Sequence, residues 1–343
     1  MKNYLKILLI APFLILVVFY FWAKNNKVYS PTLDYVFNIS EPVQETKPTI
    51  EPISIMLGGD VMLGRWVERA MQTQNNWRLP LENISQTTQR ADLFMVNLES
   101  PFLEDASTTP IDSMIIHADP KGIETLKTAG VDMVSLANNH ITDAGQTGLK
   151  QTFQILNEAG IKFIGAGETN SAAQESVIVN IKNNRIGILS YTYGVNFASS
   201  GVYFNQMDQE RLAQDIQKIK PQTDLIIVSM HAGAEYAQNP NASQISFAHR
   251  AIDEGASIVF GHHPHVLQKA EKYNDGYTFY SLGTLVFDQA VNGSKTLGAL
   301  INLKIENKKI VSVEILPTVI KNYSQVEFLE GAEKEAILNK LAL

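Results

Sequence analysis

Five short segments place carboxylate, amide or imidazole groups directly after apolar runs that predict buried β-strands. The segments are Gly59-Asp60, Asn97-Leu98-Glu99, Asn138-Asn139-His140, His231 and His262-His263-Pro264-His265. The apolar runs before them are residues 53–57, 93–96, 133–136, 225–230 and 258–260. In an open α/β sheet, ligands bind beyond the carboxyl ends of the strands, so these groups are expected to converge. Ionised carboxylates and neutral imidazoles are groups that bind divalent cations.

Each segment, taken alone, also has an ordinary structural explanation. A single histidine at a strand end is more often a packed or hydrogen-bonded residue than a metal ligand. Asn-Asn is common in turns, and Gly-Asp often precedes a helix that it caps. Repetition of such groups at five strand ends favours a shared metal site over five coincidences.

The converging groups are sufficient for a dinuclear centre. Two divalent cations ~4 Å apart need one carboxylate that bridges them, and together they can generate hydroxide near neutral pH. The expected ligands are Asp60 and His265 for one ion, Asn139, His231 and His263 for the other, and Glu99 for both. Manganese, iron or zinc is the expected metal.

Two further side chains are candidates for catalysis. His140 follows the amide of Asn139 and is placed to donate a proton to a leaving group or to stabilise developing charge. The alternative is a hydrogen bond that supports a ligand. Arg65 lies about one turn past Asp60, where its guanidinium could clamp a phosphate or carboxylate oxygen, and the alternative is a surface ion pair.

Composition limits the classes of function. With 343 residues, of which 45% are hydrophobic, the chain can bury a full core and is not a disordered protein. A net charge of −7 and the lack of a lysine or arginine cluster argue against a nucleic-acid partner. A polyanionic ligand would therefore have to meet metal ions. The chain has no cysteine, which excludes disulfides, thiolate ligands and a cysteine-linked lipid anchor.

An uncharged segment near the N-terminus predicts attachment to the cell membrane. Residues 7–23 carry no charged side chain and approach the ~20 residues that a membrane span needs. Aromatic side chains at 19–22 precede Ala23, unlike the small residues that signal peptidase recognises. An uncleaved single-pass anchor is favoured over a cleaved signal peptide, with the following domain outside the cytoplasm.

The remainder of the chain predicts an α/β fold. From residue 53, apolar strands alternate with amphipathic segments, which indicates βαβ units and a largely parallel sheet. The amphipathic segments are 121–129, 147–159, 208–220 and 243–254. Hairpin patterns that add antiparallel strands are found at 177–191, 268–281 and 297–318. The expected division is an anchor at 1–23, a proline-interrupted linker at 24–52, a domain at 53–320 and a C-terminal helical tail at 321–343 that packs on the domain.

Several longer motifs contain these groups. They are Gly59 through Arg65, Asn97 through Pro101, Ala137 through His140 with Asp143 and Gly145, His231 through Tyr236, Gly261 through His265, and Ser281 through Gly283 with Phe287, Asp288 and Gln289. The set resembles the calcineurin-like metallophosphoesterases and, more closely, their CapA branch, the poly-γ-glutamate capsule synthesis proteins. The resemblance runs from about residue 53 to 320 and implies a layered α/β sandwich with mixed sheets.

The resemblance implies a membrane-anchored extracytoplasmic protein of poly-γ-glutamate or capsule synthesis or export. Its implied partners are the anionic polymer and membrane synthetase components. The alternatives are a metal-dependent phosphoesterase acting on nucleotides or envelope phosphate esters, and a non-catalytic metal-binding scaffold. Met62 stands where the phosphoesterases usually have a histidine, and Glu99 stands in place of a bridging aspartate. One metal is therefore expected to have fewer ligands, and enzymatic activity is left open.

Overall fold

The computed structural model describes residues 51–104, 106–197, 199–288 and 296–341. The predicted anchor, the linker as far as residue 50, and Gln289 lie outside these ranges. Within them, no helix combines the length and the apolar character that crossing a bilayer requires.

Strands and helices alternate through the first part of the domain, and hairpins follow. The strands are β1 (Ile53–Val61), β2 (Leu93–Leu98), β3 (Met133–Ser135), β4 (Lys162–Ile164), β5 (Ala166–Gly167), β6 (Val177–Ile181), β7 (Asn184–Thr192), β8 (Tyr203–Phe204), β9 (Leu225–His231), β10 (Ile258–His262), β11 (Ala270–Tyr273), β12 (Gly276–Phe279), β13 (Thr284–Val286), β14 (Leu297–Glu306), β15 (Lys309–Lys321) and β16 (Gln325–Phe328). The α-helices are α1 (Arg65–Thr73), α2 (Ser85–Thr88), α3 (Ile123–Ala129), α4 (Gly145–Glu158), α5 (Asn170–Ala173), α6 (Gln209–Ile219), α7 (Ala242–Glu254) and α8 (Gly331–Lys340).

Two mixed sheets contain most of the strands. The eight-stranded sheet has the order β16-β15-β14-β1-β2-β3-β4, with β13 also paired to β1. Strands β1 to β4 are parallel, and β14 to β16 add an antiparallel meander. The six-stranded sheet has the order β11-β12-β10-β9-β7-β6, in which the central pairs are parallel and the two edge pairs are hairpins. The three predicted hairpins are therefore confirmed.

Side-chain alternation along the strands produces a four-layer sandwich. The core between the two sheets includes Ile55, Leu57, Met95, Ile188, Ile227, Phe260 and Ile301. The opposite face of the eight-stranded sheet packs on α1, α3 and α4 through Val67, Leu126 and Leu149. The opposite face of the six-stranded sheet packs on α6 and α7 through Leu212 and Phe247. The layers are thus helix, sheet, sheet and helix, which confirms the predicted layered α/β fold with mixed sheets.

The core between the sheets becomes polar where the parallel strands end. Successive strand side chains point to opposite faces, so the inward positions of a strand recur every second residue. These positions end at Asn97 in β2, at His231 in β9 and at His262 in β10, and all three side chains are fully buried. The two sheets therefore bring polar side chains to one end of the sandwich.

The C-terminal tail contributes a strand as well as a helix. β15 extends to Lys321, and β16 pairs with it in antiparallel orientation at the edge of the eight-stranded sheet. The helix α8 follows, and Leu341 packs with Leu267 and Ala299 in a small separate cluster. Burial of this apolar cluster holds the end of the described chain against the domain.

Candidate metal centre

Buried carboxylates and imidazoles form two ligand groups that share one residue. Glu99, His231 and His263 form the first group, and Asp60, Glu99 and His265 form the second. Within each group, the ligand atoms lie within 4.8 Å of one another. None of the five side chains is more than 5% exposed. The structure thus brings together the residues that the sequence assigned to each ion, with Glu99 common to both.

Asn139, the remaining predicted ligand, lies beside the first group. Its Oδ1 atom is 2.7 Å from Nε2 of His231, and the residue is 1% exposed. Its backbone carbonyl accepts a hydrogen bond from the N–H of Asn196. This contact is a hydrogen bond if Nε2 carries a proton, and a cation that bound both the amide oxygen and the imidazole nitrogen would take the place of that proton.

Main-chain pairing places the two carboxylates next to each other. Asp60 of β1 is the parallel partner of Asn97 in β2, and the backbone N–H of Glu99 donates to the carbonyl of Val61 at 2.8 Å. The Asn97 amide then donates to Asp60 Oδ1 at 2.8 Å and to Glu99 Oε2 at 3.3 Å. One buried amide therefore holds both carboxylates.

The turn that contains His263 and His265 has a strained backbone. The two histidines have φ values of 93° and 55°, a left-handed region that costs non-glycine residues roughly 1–3 kcal/mol each. The N–H of His263 donates to Asp60 Oδ2 at 3.2 Å, and the carbonyl of Pro264 accepts from the N–H of Tyr236 at 2.8 Å. These contacts hold both imidazoles toward the carboxylates, and strain of this kind is concentrated at functional sites.

Burial and neighbouring groups shift the pKa values of Glu99 and Asp60 in opposite directions. Desolvation, followed by the nearby charge of Asp60 and a hydrogen bond with it, raises the pKa of Glu99 well above its usual value. Desolvation also acts to raise the pKa of Asp60, but its contacts with the imidazoles of His262 and His265 outweigh this and hold the pKa well below the usual value. Asp60 therefore ionises at lower pH than Glu99, and a bound divalent ion would favour the ionised form of both groups.

The histidines of the first group are suited to metal binding. Desolvation, together with repulsion from neighbouring imidazoles, lowers the pKa of His231 well below its usual value and lowers that of His263 to about 4. Both rings are therefore neutral near pH 7, which is the form that binds metals.

Unpaired buried atoms provide a test of whether a metal fits. Glu99 Oε1, His263 Nδ1 and His265 Nδ1 have no hydrogen-bond partner among the described residues. Leaving a buried polar atom unpaired costs about 1–3 kcal/mol, and such atoms are rare in native structures. All three belong to the two ligand groups, so divalent cations fit the donor set.

His140 lies beside the ligand groups. Its Nδ1 atom is 2.7 Å from Asp143 Oδ2, and its Nε2 atom is 4.0 Å from Glu99 Oε1. The Asp143 carboxylate also accepts from the N–H of Ile116 at 2.7 Å. A proton on Nδ1 is therefore held by Asp143, and Nε2 faces the centre. In the sequence Asp143 carries no predicted role, although its spacing of three residues from His140 fits a side-chain contact within a turn.

Arg65 forms a buried ion pair. Its guanidinium contacts the carboxylate of Asp288, which also accepts from the N–H of Trp66 at 3.0 Å. The guanidinium carbon lies 5.2 Å from the ring centroid of Phe287, and Arg65 is 6% exposed. The residue lines a cavity beside the centre, so its surroundings differ from the surface ion pair that was the alternative in the sequence. Its paired partner, Asp288, was not identified from the sequence.

Met62 faces away from the centre. It is fully buried in the core between the eight-stranded sheet and its helices, where its sulfur accepts from the N–H of Gly64 at 3.1 Å. Met62 therefore supplies no ligand atom to the group of Asp60, in line with the expectation that one metal has fewer ligands.

The cavity beside the centre has a volume of about 520 Å³. One part of its lining is polar and comprises Arg65, Asp112, Ser113, His140, Asn196, Glu235, His265 and Asp288. The other part carries Ile111, Met114, Ile116, Phe287 and Tyr323. Met114 and Tyr323 are 67% and 58% exposed, so the apolar part extends to the surface. A ligand in this cavity would meet both the centre and an apolar wall.

Comparison with known proteins identifies the family. A family model described as "Bacterial capsule synthesis protein PGA_cap" matches residues 54–289, and the chain belongs to this family. The chain is 30% identical over 304 residues to the capsule biosynthesis protein CapA of Bacillus anthracis, covering 85% of this chain and 73% of that protein. It is 29% identical over 273 residues to the PGA biosynthesis protein CapA of Bacillus subtilis (strain 168), covering 77% and 71%.

Two solved structures share the fold. One is a hypothetical protein from Thermus thermophilus, with a TM-score of 0.51, 17% identity, and coverage of 78% of this chain and all of that chain. The other is a putative 5'-nucleotidase from Staphylococcus aureus in complex with alpha-ketoglutarate, with a TM-score of 0.50, 15% identity, and coverage of 84% and 58%. At these identities the likeness concerns the fold alone.

We predict that substitutions in the two ligand groups differ in the number of ions lost. Glu99→Ala should lose most of both ions because its carboxylate belongs to both groups, whereas His231→Ala should lose one. Elemental analysis after reloading with manganese, iron or zinc measures the difference, and His249→Ala, outside the centre, should retain both. Wild-type protein that stays metal-free, or Glu99→Ala that retains both ions, would contradict the prediction.

Proposed function

We propose that the protein is a membrane-anchored, extracytoplasmic component of poly-γ-glutamate capsule synthesis or export, whose dinuclear metal centre binds the anionic polymer. Membership of the capsule synthesis family supports the biological role. The two ligand groups that share Glu99 are the observation that supports the metal centre. The expected partners are the polymer and the membrane synthetase components.

The charge of the protein makes metal ions necessary for this role. The chain carries a net charge of −7, and the centre contains the carboxylates of Asp60 and Glu99. The cavity adds Asp112, Glu235 and Asp288, against the single arginine Arg65, which already pairs with Asp288. Without added cations this surface repels a polycarboxylate. Divalent ions bound at the two ligand groups would supply positive charge and a water of lowered pKa.

The cavity lining suits a chain of γ-linked glutamate. Each repeat carries one carboxylate and a short stretch of methylene groups. His265 of the second ligand group lines the cavity, and the exposed side chains of Met114 and Tyr323 contribute to its apolar lining. Methylene groups can pack against this wall while a carboxylate faces the centre.

We predict that binding of poly-γ-glutamate depends on the metal ions. The wild-type protein should bind the polymer after metal loading, and chelation or His263→Ala should abolish binding because positive charge is lost from the centre. Calorimetry or fluorescence anisotropy with labelled polymer measures this, with His249→Ala as the control that retains binding. Polymer binding that survives chelation would contradict the proposal.

A phosphoesterase is the second candidate, and the arrangement of His140 favours it. Asp143 accepts a hydrogen bond from Nδ1 of His140, so in the imidazolium form the second proton, on Nε2, would face the centre and could pass to a leaving-group oxygen near Glu99, leaving a neutral imidazole. Asn97 holds both carboxylates in place in either function. A scaffold that binds metal without turnover would retain the ligand groups but would not need this orientation of His140.

We predict that His140 can be separated from metal binding. If it donates a proton, His140→Ala should retain both ions and lose about 100-fold or more in rate on a phosphate ester with a poor leaving group. Asp143→Asn should lose rate in the same direction because the orientation of the imidazole is weakened. Initial rates and metal content measured on the same preparations test this. Full activity of His140→Ala excludes the acid role, and no turnover by the wild type favours the polymer-binding function.

We predict that the full-length protein is found in the membrane fraction with its domain outside the cytoplasm. The reason is the uncharged segment 7–23, whose length approaches that of a membrane span. Protease added to intact spheroplasts should digest the domain and leave a short membrane-bound fragment, whereas a cytoplasmic marker should stay intact. Release of the protein into the soluble fraction, or full protection from protease, would contradict the anchored topology.

A further inference from the structure

His262 is a buried histidine for which the two ligand groups do not account. It is fully buried, and neither ring nitrogen makes a hydrogen bond with standard geometry to another described residue. Its Nδ1 atom lies 3.2 Å from Asp60 Oδ1. The ring meets Phe260 edge-on, with 5.0 Å between centroids, so its surroundings are partly apolar. A buried imidazole in this position needs an explanation because its desolvation is costly.

The two oxygens of the Asp60 carboxylate face different partners. Oδ1 accepts from the Asn97 amide at 2.8 Å and lies 3.2 Å from His262 Nδ1. Oδ2 accepts one backbone hydrogen bond, from His263, and lies 3.2 Å from Nδ1 of His265. A carboxylate oxygen has two lone pairs. Each oxygen therefore accepts one hydrogen bond and faces one imidazole nitrogen at 3.2 Å, which belongs to His262 at Oδ1 and to the ligand His265 at Oδ2.

We propose that His262 is a positioning residue that acts with Asn97 to hold Asp60 Oδ1, and so keeps Oδ2 directed toward the ligand His265. This inference rests on the proposed metal centre, and it adds how the carboxylate of Asp60 is oriented toward the metal. His262 itself belongs to neither ligand group, although Asp60 belongs to one.

The orientation of Asp60 matters because its metal has few other ligands. Its group contains only Glu99 and His265 besides Asp60, and Glu99 is shared with the other ion. Met62, which could have supplied a further contact, points into the core. Residues that orient a ligand typically change metal affinity 10–100-fold when they are removed, and the effect is expected here for the ion of Asp60.

Two substitutions separate the donor at Nδ1 from the rest of the ring. The side-chain amide nitrogen of asparagine can take the place of Nδ1, so His262→Asn keeps a donor toward Asp60, and His262→Leu keeps none. Calorimetric titration of the metal-free, full-length protein with Mn²⁺ measures the affinity of each ion. His249→Leu, which removes a histidine outside the centre, is the matched control.

We expect His262→Leu to weaken one of the two binding events by about 10–100-fold and to leave the other nearly unchanged. His262→Asn should recover most of that loss. The unfolding temperature of metal-free His262→Leu should stay close to that of the wild type, because leucine keeps an apolar side chain beside Phe260. This readout separates positioning from a general loss of structure.

Three results would overturn the inference. Unchanged affinity in His262→Leu would show that His262 does not orient Asp60. Equal loss in the Leu and Asn variants would assign the effect to the other ring nitrogen, as expected of a direct ligand. Loss of both ions together with a lower unfolding temperature would indicate a structural role only. If the wild type itself binds no Mn²⁺, the proposed metal centre fails, and the inference fails with it.

Discussion

The burial of two carboxylates side by side is the constraint on which the rest of this structure depends. Asp60 and Glu99 are fully buried, and two such charges cannot remain ionised together in an apolar interior without compensation. Neighbouring polar groups lower that cost, because Asn97 donates to both carboxylates and the imidazole of His265 lies within 4 Å of each. Divalent ions would compensate the two charges further, since Glu99, His263 and His265 of the ligand groups each have a buried atom without a hydrogen bond.

The four-layer architecture explains how these groups reach one place. Period-2 alternation directs Asn97, His231 and His262, the last inward residues of β2, β9 and β10, into the polar end of the inter-sheet core, whereas a register shift between Leu57 and Asp60 precedes Asp60 in β1. The strained turn at His263 and His265 then folds two more imidazoles over the carboxylates. A rigid sandwich can maintain this strain because its core is packed on three levels. The two packed sheets therefore fix the positions of the carboxylates and imidazoles at their strand ends.

Features of the site that depend on neighbouring residues could be predicted from the sequence, whereas contacts between distant residues could not. Strand ends such as Gly59-Asp60 and the turn around Pro264 can be recognised from sequence because apolar runs precede them. The predicted ligands other than Asn139 lie in the two groups, and their assignment to metal ions stays a prediction. The pairing of Arg65 with Asp288 joins residues 223 positions apart, and no local pattern indicates it. The sequence places His262 in the motif without a role, since only the fold shows that its ring meets Asp60 Oδ1. The edge strand β16 was not predicted from the sequence, because it is recognised by its pairing with β15 in the folded sheet.

The central claim is that two metal ions share Glu99. Crystals of the manganese-loaded protein, with diffraction data collected on both sides of the manganese absorption edge, would test it most directly. If two ions share Glu99, the maps should show two anomalous peaks ~4 Å apart with the Glu99 carboxylate between them. One peak should lie beside His265 and the other beside His231 and His263. A single peak, peaks that do not contact Glu99, or no peak in fully loaded crystals would contradict it.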